Sequence, residues 1–258
     1  MYKTLSEYNN CKIIEKYLYT EKPKKYEKDL VSVIIPTYNR YKFLLNAIKS
    51  VQEQTYKNIE IIVVNDCSTE KEYKSGHLEK MNKVKVVHLP INLRIKYNVQ
   101  AAQGRTRDNG IKIAKGEWIA FLDDDDYWLP QKLEKQMKVL KENKKILMSS
   151  TNMFLGDGGL YNKNKKYALM ISRKLPNIFE MKMIETENLI LNSTVILHKN
   201  IIDKVGEFDL GTNEDWKYWK RTLKYTNCYY IDEPLVYYDT YHADGKNYVY
   251  DSYNDRQD

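Results

Sequence analysis

The chain has 258 residues, 42% apolar and 30% charged, which is enough apolar material for one substantial core. Lys and Arg number 42 against 35 Asp and Glu, a net charge of +7, while Gly (10) and Pro (6) are scarce. That composition excludes collagen-like, low-complexity and strongly disordered classes. No apolar run approaches the ~18–20 residues of a membrane span, and residues 1–30 contain no hydrophobic signal segment. Cys11, Cys67 and Cys228 are too widely spaced for a CxxC site or a disulfide framework. A soluble, cytoplasmic protein with no transmembrane segment is expected. Lysine is spread along the chain, whereas nucleic-acid readers cluster basic residues and favour Arg. The lysines read as solvated surface, and no nucleic-acid partner is expected.

In chain order, residues 1–30 read as an N-terminal extension, with a short amphipathic helix over 11–19 and a linker over 21–29. The β-branched run 31–35 is a buried strand, ended by Pro36. Phe43, Leu44, Ala47, Ile48 and Val51 recur at helical spacing and predict a helix over 41–54. A second strand, 59–64, stops at Asn65-Asp66. Residues 71–81 read as helical, 84–89 as a third strand, and 108–114 as the end of another helix. A fourth strand, 117–122, runs into Asp123-Asp124-Asp125-Asp126. Leu133, Met137 and Leu140 place a helix over 131–143, behind Pro130. The second half is less regular. A loop excursion over 155–174 is followed by a strand at 193–198, a short helix at 200–205 and a turn at 206–209. An aromatic-rich helix over 214–225 and a strand over 235–241 precede a tail at 246–258.

Strands alternating with helices predict an α/β fold, a mostly parallel Rossmann-like sheet flanked by helices in a single domain over 31–245. Ligands of such sheets bind beyond the carboxyl ends of the strands. Three strand ends carry polar sequence: Thr37-Tyr38-Asn39-Arg40, Asn65-Asp66-Cys67-Ser68 and Asp123 to Asp126. Four adjacent carboxylates repel one another unless a cation sits among them, and hard oxygen donors suit Mg²⁺ or Mn²⁺. In an extended turn Asp123 and Asp125 point the same way. A solvated acidic turn capping the next helix is the plainer alternative, and Asp126 suits that role.

Four ordered blocks, VSVIIPTYNR (31–40), IIVVNDCST (61–69), RDNGIKIAKGEWIAFLDDDDYW (107–128) and GEFDLGTNEDW (206–216), resemble a family 2 glycosyltransferase of the GT-A fold. The resemblance extends from residue 31 to about 241. It implies an inverting, metal-dependent transferase with a DxD motif, of the hexosyltransferase type, taking a nucleotide-sugar donor, in the first instance a UDP-sugar.

The resemblance also implies roles. Pro36, Thr37 and Tyr38 hold the base and ribose, with Tyr38 able to stack on uracil. Asp66 accepts a hydrogen bond from the base or ribose. Arg107 pairs with the diphosphate, although Asp108 stands where the family usually has Asn. Asp125 is the most direct metal ligand. Asp123 contacts the ribose or the metal shell, and Asp124 supports the nucleotide. His242 is a further metal candidate, and a surface histidine is an equal reading. Asp215 is the general base and Glu214 positions the acceptor, a glycan, glycolipid or protein hydroxyl. First-turn helix acids complementing the dipole are the plainer reading of that pair. Peripheral membrane contact stays open. A nucleotidyltransferase would carry a Gly-rich loop after the first strand, which is absent here. A catalytically inactive sugar-nucleotide or glycan-binding module is the other alternative.

Overall fold

The computed structural model describes residues 26–241. The expectations for 11–19, for the tail and for His242 lie outside those residues. The strands are β1 (Glu27–Thr37), β2 (Ile59–Asn65), β3 (Val84–His88), β4 (Gly116–Phe121), β5 (Tyr127–Trp128), β6 (Met148–Leu155), β7 (Ala168–Leu169), β8 (Ile178–Phe179), β9 (Ile196–His198) and β10 (Cys228–Tyr238). The helices are α1 (Tyr41–Gln52), α2 (Leu93–Tyr97), α3 (Gln103–Ile113), α4 (Lys132–Glu142), α5 (Lys199–Val205) and α6 (Glu214–Thr222).

The strands form one sheet in the order β3-β2-β1-β4-β9-β6-β10-β5. β3, β2, β1 and β4 run parallel. β9 lies antiparallel to both β4 and β6, so β6 and its parallel partner β10 point the same way as β1. The carboxyl ends of β1, β2, β4, β6 and β10 therefore share one rim. Alternation divides β1 between two cores: Val31, Val33 and Ile35 pack with Leu44, Ala47 and Ile48 of α1, while Ile34 packs with Ile62, Val64 and Ile111 of α3. This double burial is why the strands read as continuous apolar runs.

Several boundaries differ from expectation. β1 starts inside the expected linker and continues through Pro36 to Thr37. The helix expected over 71–81 is two 3-10 turns, Lys71–Lys74 and Leu78–Lys80, interrupted at Gly76, whose φ is +69°. The strand expected from 193 begins at Ile196, after a 3-10 turn at Asn192–Thr194. β10 starts at Cys228 rather than 235, because its register shifts between Ile231 and Pro234 let the Asp232-Glu233-Pro234 stretch sit within the strand as a bulge. β6 and α2 are additions that the sequence reading lacked.

α3 lies close against the sheet at Gly110. A Cβ there would meet Ile34 Cγ2 at 2.7 Å and Val64 Cγ2 at 3.0 Å. Gly110→Ala is expected to cost about 1–3 kcal/mol through overpacking, measured as a lower urea midpoint. An unchanged midpoint would mean that α3 can move off the sheet at little cost.

Candidate active site

The rim opens into a cavity of about 320 Å³. Pro36, Thr37, Tyr38, Asp66, Arg107, Asp123, Asp124, Asp125, Glu214 and Asp215 all line it. All of the expected site residues within the described range thus converge on one space. The same wall also includes Arg40, Asn92, Arg94, Asn188, Asn192 and Tyr238.

The β1 end is tied down by its neighbours. The Thr37 hydroxyl lies 2.6 Å from the Tyr73 hydroxyl, which also accepts the Arg40 N–H at 3.3 Å. Asn39, in the left-handed region with φ 54°, accepts the Thr69 N–H at 2.7 Å. Asp66 ends β2. Its carboxylate accepts the Leu93 N–H at 2.9 Å and the Asn92 amide at 3.1 Å, fixing the start of α2. Burial pushes Asp66 up to about 7, against the pull of the Leu93 N–H and Arg94.

The acidic turn after β4 is mostly buried, and basic and hydroxyl groups hold it. Arg40 places Nη1 2.8 Å from Asp125 Oδ2 and 3.3 Å from Asp124 Oδ1. Asp124 Oδ2 is buried with no hydrogen-bond partner. Burial raises Asp124 to about 7 despite Arg40, and raises Asp126 well above the carboxylate range, with Asp125 and Asp123 adding to the effect. Asp126 faces away from the cavity wall. It accepts the Ser193 hydroxyl and, at 2.9 Å, the Asp239 N–H. Ser193 also accepts the Asp123 N–H at 3.0 Å, and its carbonyl accepts the Trp128 indole N–H at 2.7 Å. Trp128 is therefore core.

Arg107 is the hub. Its guanidinium bridges Asp123 and Glu214, the latter at 3.0 Å. With the Asn192 amide turned so that its oxygen faces inward, that oxygen accepts from both Nη atoms at 3.2 and 3.3 Å. Burial opposes the Arg107 charge, but Asp123 and Glu214 more than offset it and hold the group protonated. The expected diphosphate partner is thus already spent on two carboxylates, and Glu214 anchors Arg107. Asp108 accepts the Phe208 N–H at 3.1 Å, tethering α3 to the turn before α6, a role that an acceptor-only side chain can fill in place of Asn.

Asp215 opens α6. Its Oδ1 accepts the Trp216 N–H at 2.6 Å and its Oδ2 the Asn188 amide at 3.3 Å. Burial and the adjacent Glu214 raise it to about 7. The aromatics of α6 face inward: Tyr218 stacks on Phe208 with centroids 3.8 Å apart, and Trp219 packs on Phe121. They build core.

Six carboxylates line the cavity (Asp66, Asp123, Asp124, Asp125, Glu214, Asp215) against three guanidinium groups (Arg40, Arg94, Arg107). Among the described residues no three His, Cys, Asp or Glu side chains converge as a metal-holding group. The sequence assigns no site role to Arg40, Asn92, Asn188 or Ser193. Arg40 alone carries a signal, as the last residue of the polar strand end 37–40; the others lie in segments without a motif.

Residues 32–206 match the family described as Glycosyl transferase family 2. An Escherichia coli protein named UDP-Glc:alpha-D-GlcNAc-diphosphoundecaprenol beta-1,3-glucosyltransferase WfaP is 32% identical over 196 residues, 76% of this chain and 70% of that protein. An uncharacterized glycosyltransferase of Rickettsia conorii, RC0461, is 30% identical over 207 residues. That match covers 80% of this chain, which spans about a third (32%) of the longer relative. S. aureus TarS 1-349, solved in complex with UDP-GlcNAc, has a similar fold, with a TM-score of 0.65 at 22% identity over 82% of this chain and 58% of that one. The mixed sheet, its polar rim and the match over most of its length place this chain in glycosyl transferase family 2.

Proposed function

We propose that the cavity binds a nucleotide-sugar, a UDP-sugar, and transfers its sugar to an acceptor hydroxyl with inversion. The observation that carries this reading is the convergence of the acidic turn, the β1 and β2 ends and Asp215 on one cavity. The donor named for WfaP supports the choice of UDP. Pro36, Thr37, Tyr38 and Asp66 form the base and ribose wall, and Asp124 backs it. Arg107 does not reach for the diphosphate in this reading. It keeps Asp123 and Glu214 in place.

A net-negative wall cannot take a diphosphate without further positive charge. The donor set fits a divalent cation: carboxylate oxygens on Asp125 and Asp123, with Asp124 Oδ2 buried and unpartnered in the same turn. Two protein ligands suit Mg²⁺ or Mn²⁺, which keep positions for phosphate oxygens and waters. When bound, such an ion stabilises negative charge on the departing diphosphate. Arg40 then shares Asp125 with it. His242 stays a candidate ligand.

Asp215 supplies the base. The acceptor oxygen attacks the anomeric carbon as the bond to the diphosphate breaks, and its proton passes to an Asp215 oxygen. The bonding pair leaves with UDP, and one displacement inverts the centre. A carboxylate poised near neutrality suits late proton transfer. The acceptor named for WfaP is a sugar on a diphosphate lipid, and a lipid-borne acceptor of that class is the reading adopted here.

UDP with Mn²⁺ is expected to raise the melting temperature, and Asp125→Ala to abolish that shift, as followed by thermal denaturation. An equal shift in Asp125→Ala would remove Asp125 from the cation site.

A further inference from the structure

The segment between β6 and β8 leaves the sheet at the rim where the cavity opens. Between 156 and 174 it carries five basic residues (Lys163, Lys165, Lys166, Arg173, Lys174) and one acid, Asp157; Lys165 pairs with Asp157 at 2.7 Å and Arg173 with Glu187 at 2.5 Å, which leaves Lys163, Lys166 and Lys174 to set the charge. Its tip, 162–166, is a turn of Asn and Lys, closed by the Lys165 N–H on the Asn162 carbonyl at 3.0 Å and the Asn162 N–H on the Tyr167 hydroxyl at 3.0 Å. Behind the tip, Tyr161 stacks on Tyr127 with centroids 5.0 Å apart, and Tyr167 meets Tyr237 edge-on at 5.0 Å. These rings cover one another. Leu160 (41% exposed) and Leu169 (39% exposed) flank them. The root is bonded to the site: Gly156 N–H donates to the Tyr238 carbonyl at 2.7 Å, and Gly158 N–H to Asp239, whose own N–H meets Asp126.

Exposed leucines beside half-buried tyrosines, under a lysine-rich tip, match an interfacial anchor: apolar groups enter the headgroup boundary while cations meet anionic lipid. We infer that the 156–174 loop is a docking surface for an anionic phospholipid bilayer, holding the cavity mouth toward an acceptor carried in that bilayer. Only the purpose of docking rests on the transfer reaction proposed above; the binding itself does not.

The test is co-sedimentation of the full chain with vesicles of phosphatidylcholine alone or mixed with phosphatidylglycerol. The wild type is expected to partition onto the mixed vesicles only. Lys163→Ala/Lys166→Ala is expected to bind them about thirtyfold more weakly at physiological ionic strength, and Leu160→Ser/Leu169→Ser also to bind more weakly. Equal binding by the lysine variant, or no binding by the wild type, would overturn the proposal. So would tight binding to soluble polyphosphate without vesicle binding, which would point to an anionic polymer instead. UDP release from a UDP-sugar is measured in parallel on the wild type and the lysine variant. Intact vesicle binding with no release by either would sink the transfer reading and leave docking standing.

Discussion

Asp215→Asn is expected to lower turnover by about 10²- to 10⁴-fold while leaving UDP affinity unchanged. The amide keeps the shape and, through its oxygen, the contact with Trp216, but it gives up the bond accepted from the Asn188 amide and cannot accept the acceptor's proton. The wild-type carboxylate is raised to about 7 by burial and by Glu214, so the rate falls as pH drops below that value and the base becomes protonated. The same shift acts on stability with a defined sign. The folded group titrates above its ordinary value of 3.8, so the folded state binds the extra proton between the two values. Its contribution is complete below pH 3.8 and is lost as pH rises toward 7. Asp215→Asn is therefore expected to melt higher than the wild type above neutrality, with little difference near pH 4. A variant that is inactive yet more stable at alkaline pH separates a lost base from a damaged fold.

Arg107→Ala is expected to cost about 3–5 kcal/mol of stability, because it leaves two carboxylates facing each other without their shared cation. The side chain is buried, joins α3 to both the acidic turn and α6, and with the Asn192 amide it forms the centre of the site. Loss of this pairing is expected to lower the urea midpoint sharply and to abolish UDP binding, since Asp123 and Glu214 would no longer hold their positions. Arg107→Lys is expected to recover part of the stability, as one ammonium can reach one carboxylate but not present a fork to two. A full-strength diphosphate contact, by contrast, would give an Arg107→Ala variant of normal stability and weak UDP affinity.

Much of the sheet was legible because its central strands are buried on both faces and so appear as β-branched apolar runs. β6 was hidden for the opposite reason. Its Ser149, Ser150, Thr151 and Asn152 are buried, and their polarity is answered locally: Gln136 donates to Ser149 at 3.1 Å, Cys228 to Ser150 at 3.3 Å, and Asn152 to the Ile171 carbonyl at 2.8 Å. A strand satisfied by side-chain hydrogen bonds has no hydrophobic signature. Lys132 was misplaced with the solvated lysines. It is fully buried, bonded to Gln136 at 2.7 Å and 3.9 Å from the Trp128 ring centroid, and burial pulls its pKa well down. The acidic turn, Asp66 and Asp215 were legible because each stands at an element end with functional chemistry. Their partners, Arg40, Asn92, Asn188 and Ser193, are ordinary residues in ordinary stretches. Only the fold brings Arg40, Asn92 and Asn188 to the same wall and sets Ser193 against the acidic turn.

Transfer from a UDP-sugar with Asp215 as base is read out by acceptor-dependent release of UDP. The full chain is incubated with Mn²⁺, a panel of UDP-sugars and a polyprenyl-diphosphate sugar, and released UDP is quantified alongside the anomeric configuration of the product. Release is expected from one donor, dependent on the acceptor, with inverted configuration, and lost in Asp215→Asn. UDP bound in the cavity with no release from any donor, or release that is undiminished in Asp215→Asn, would contradict it.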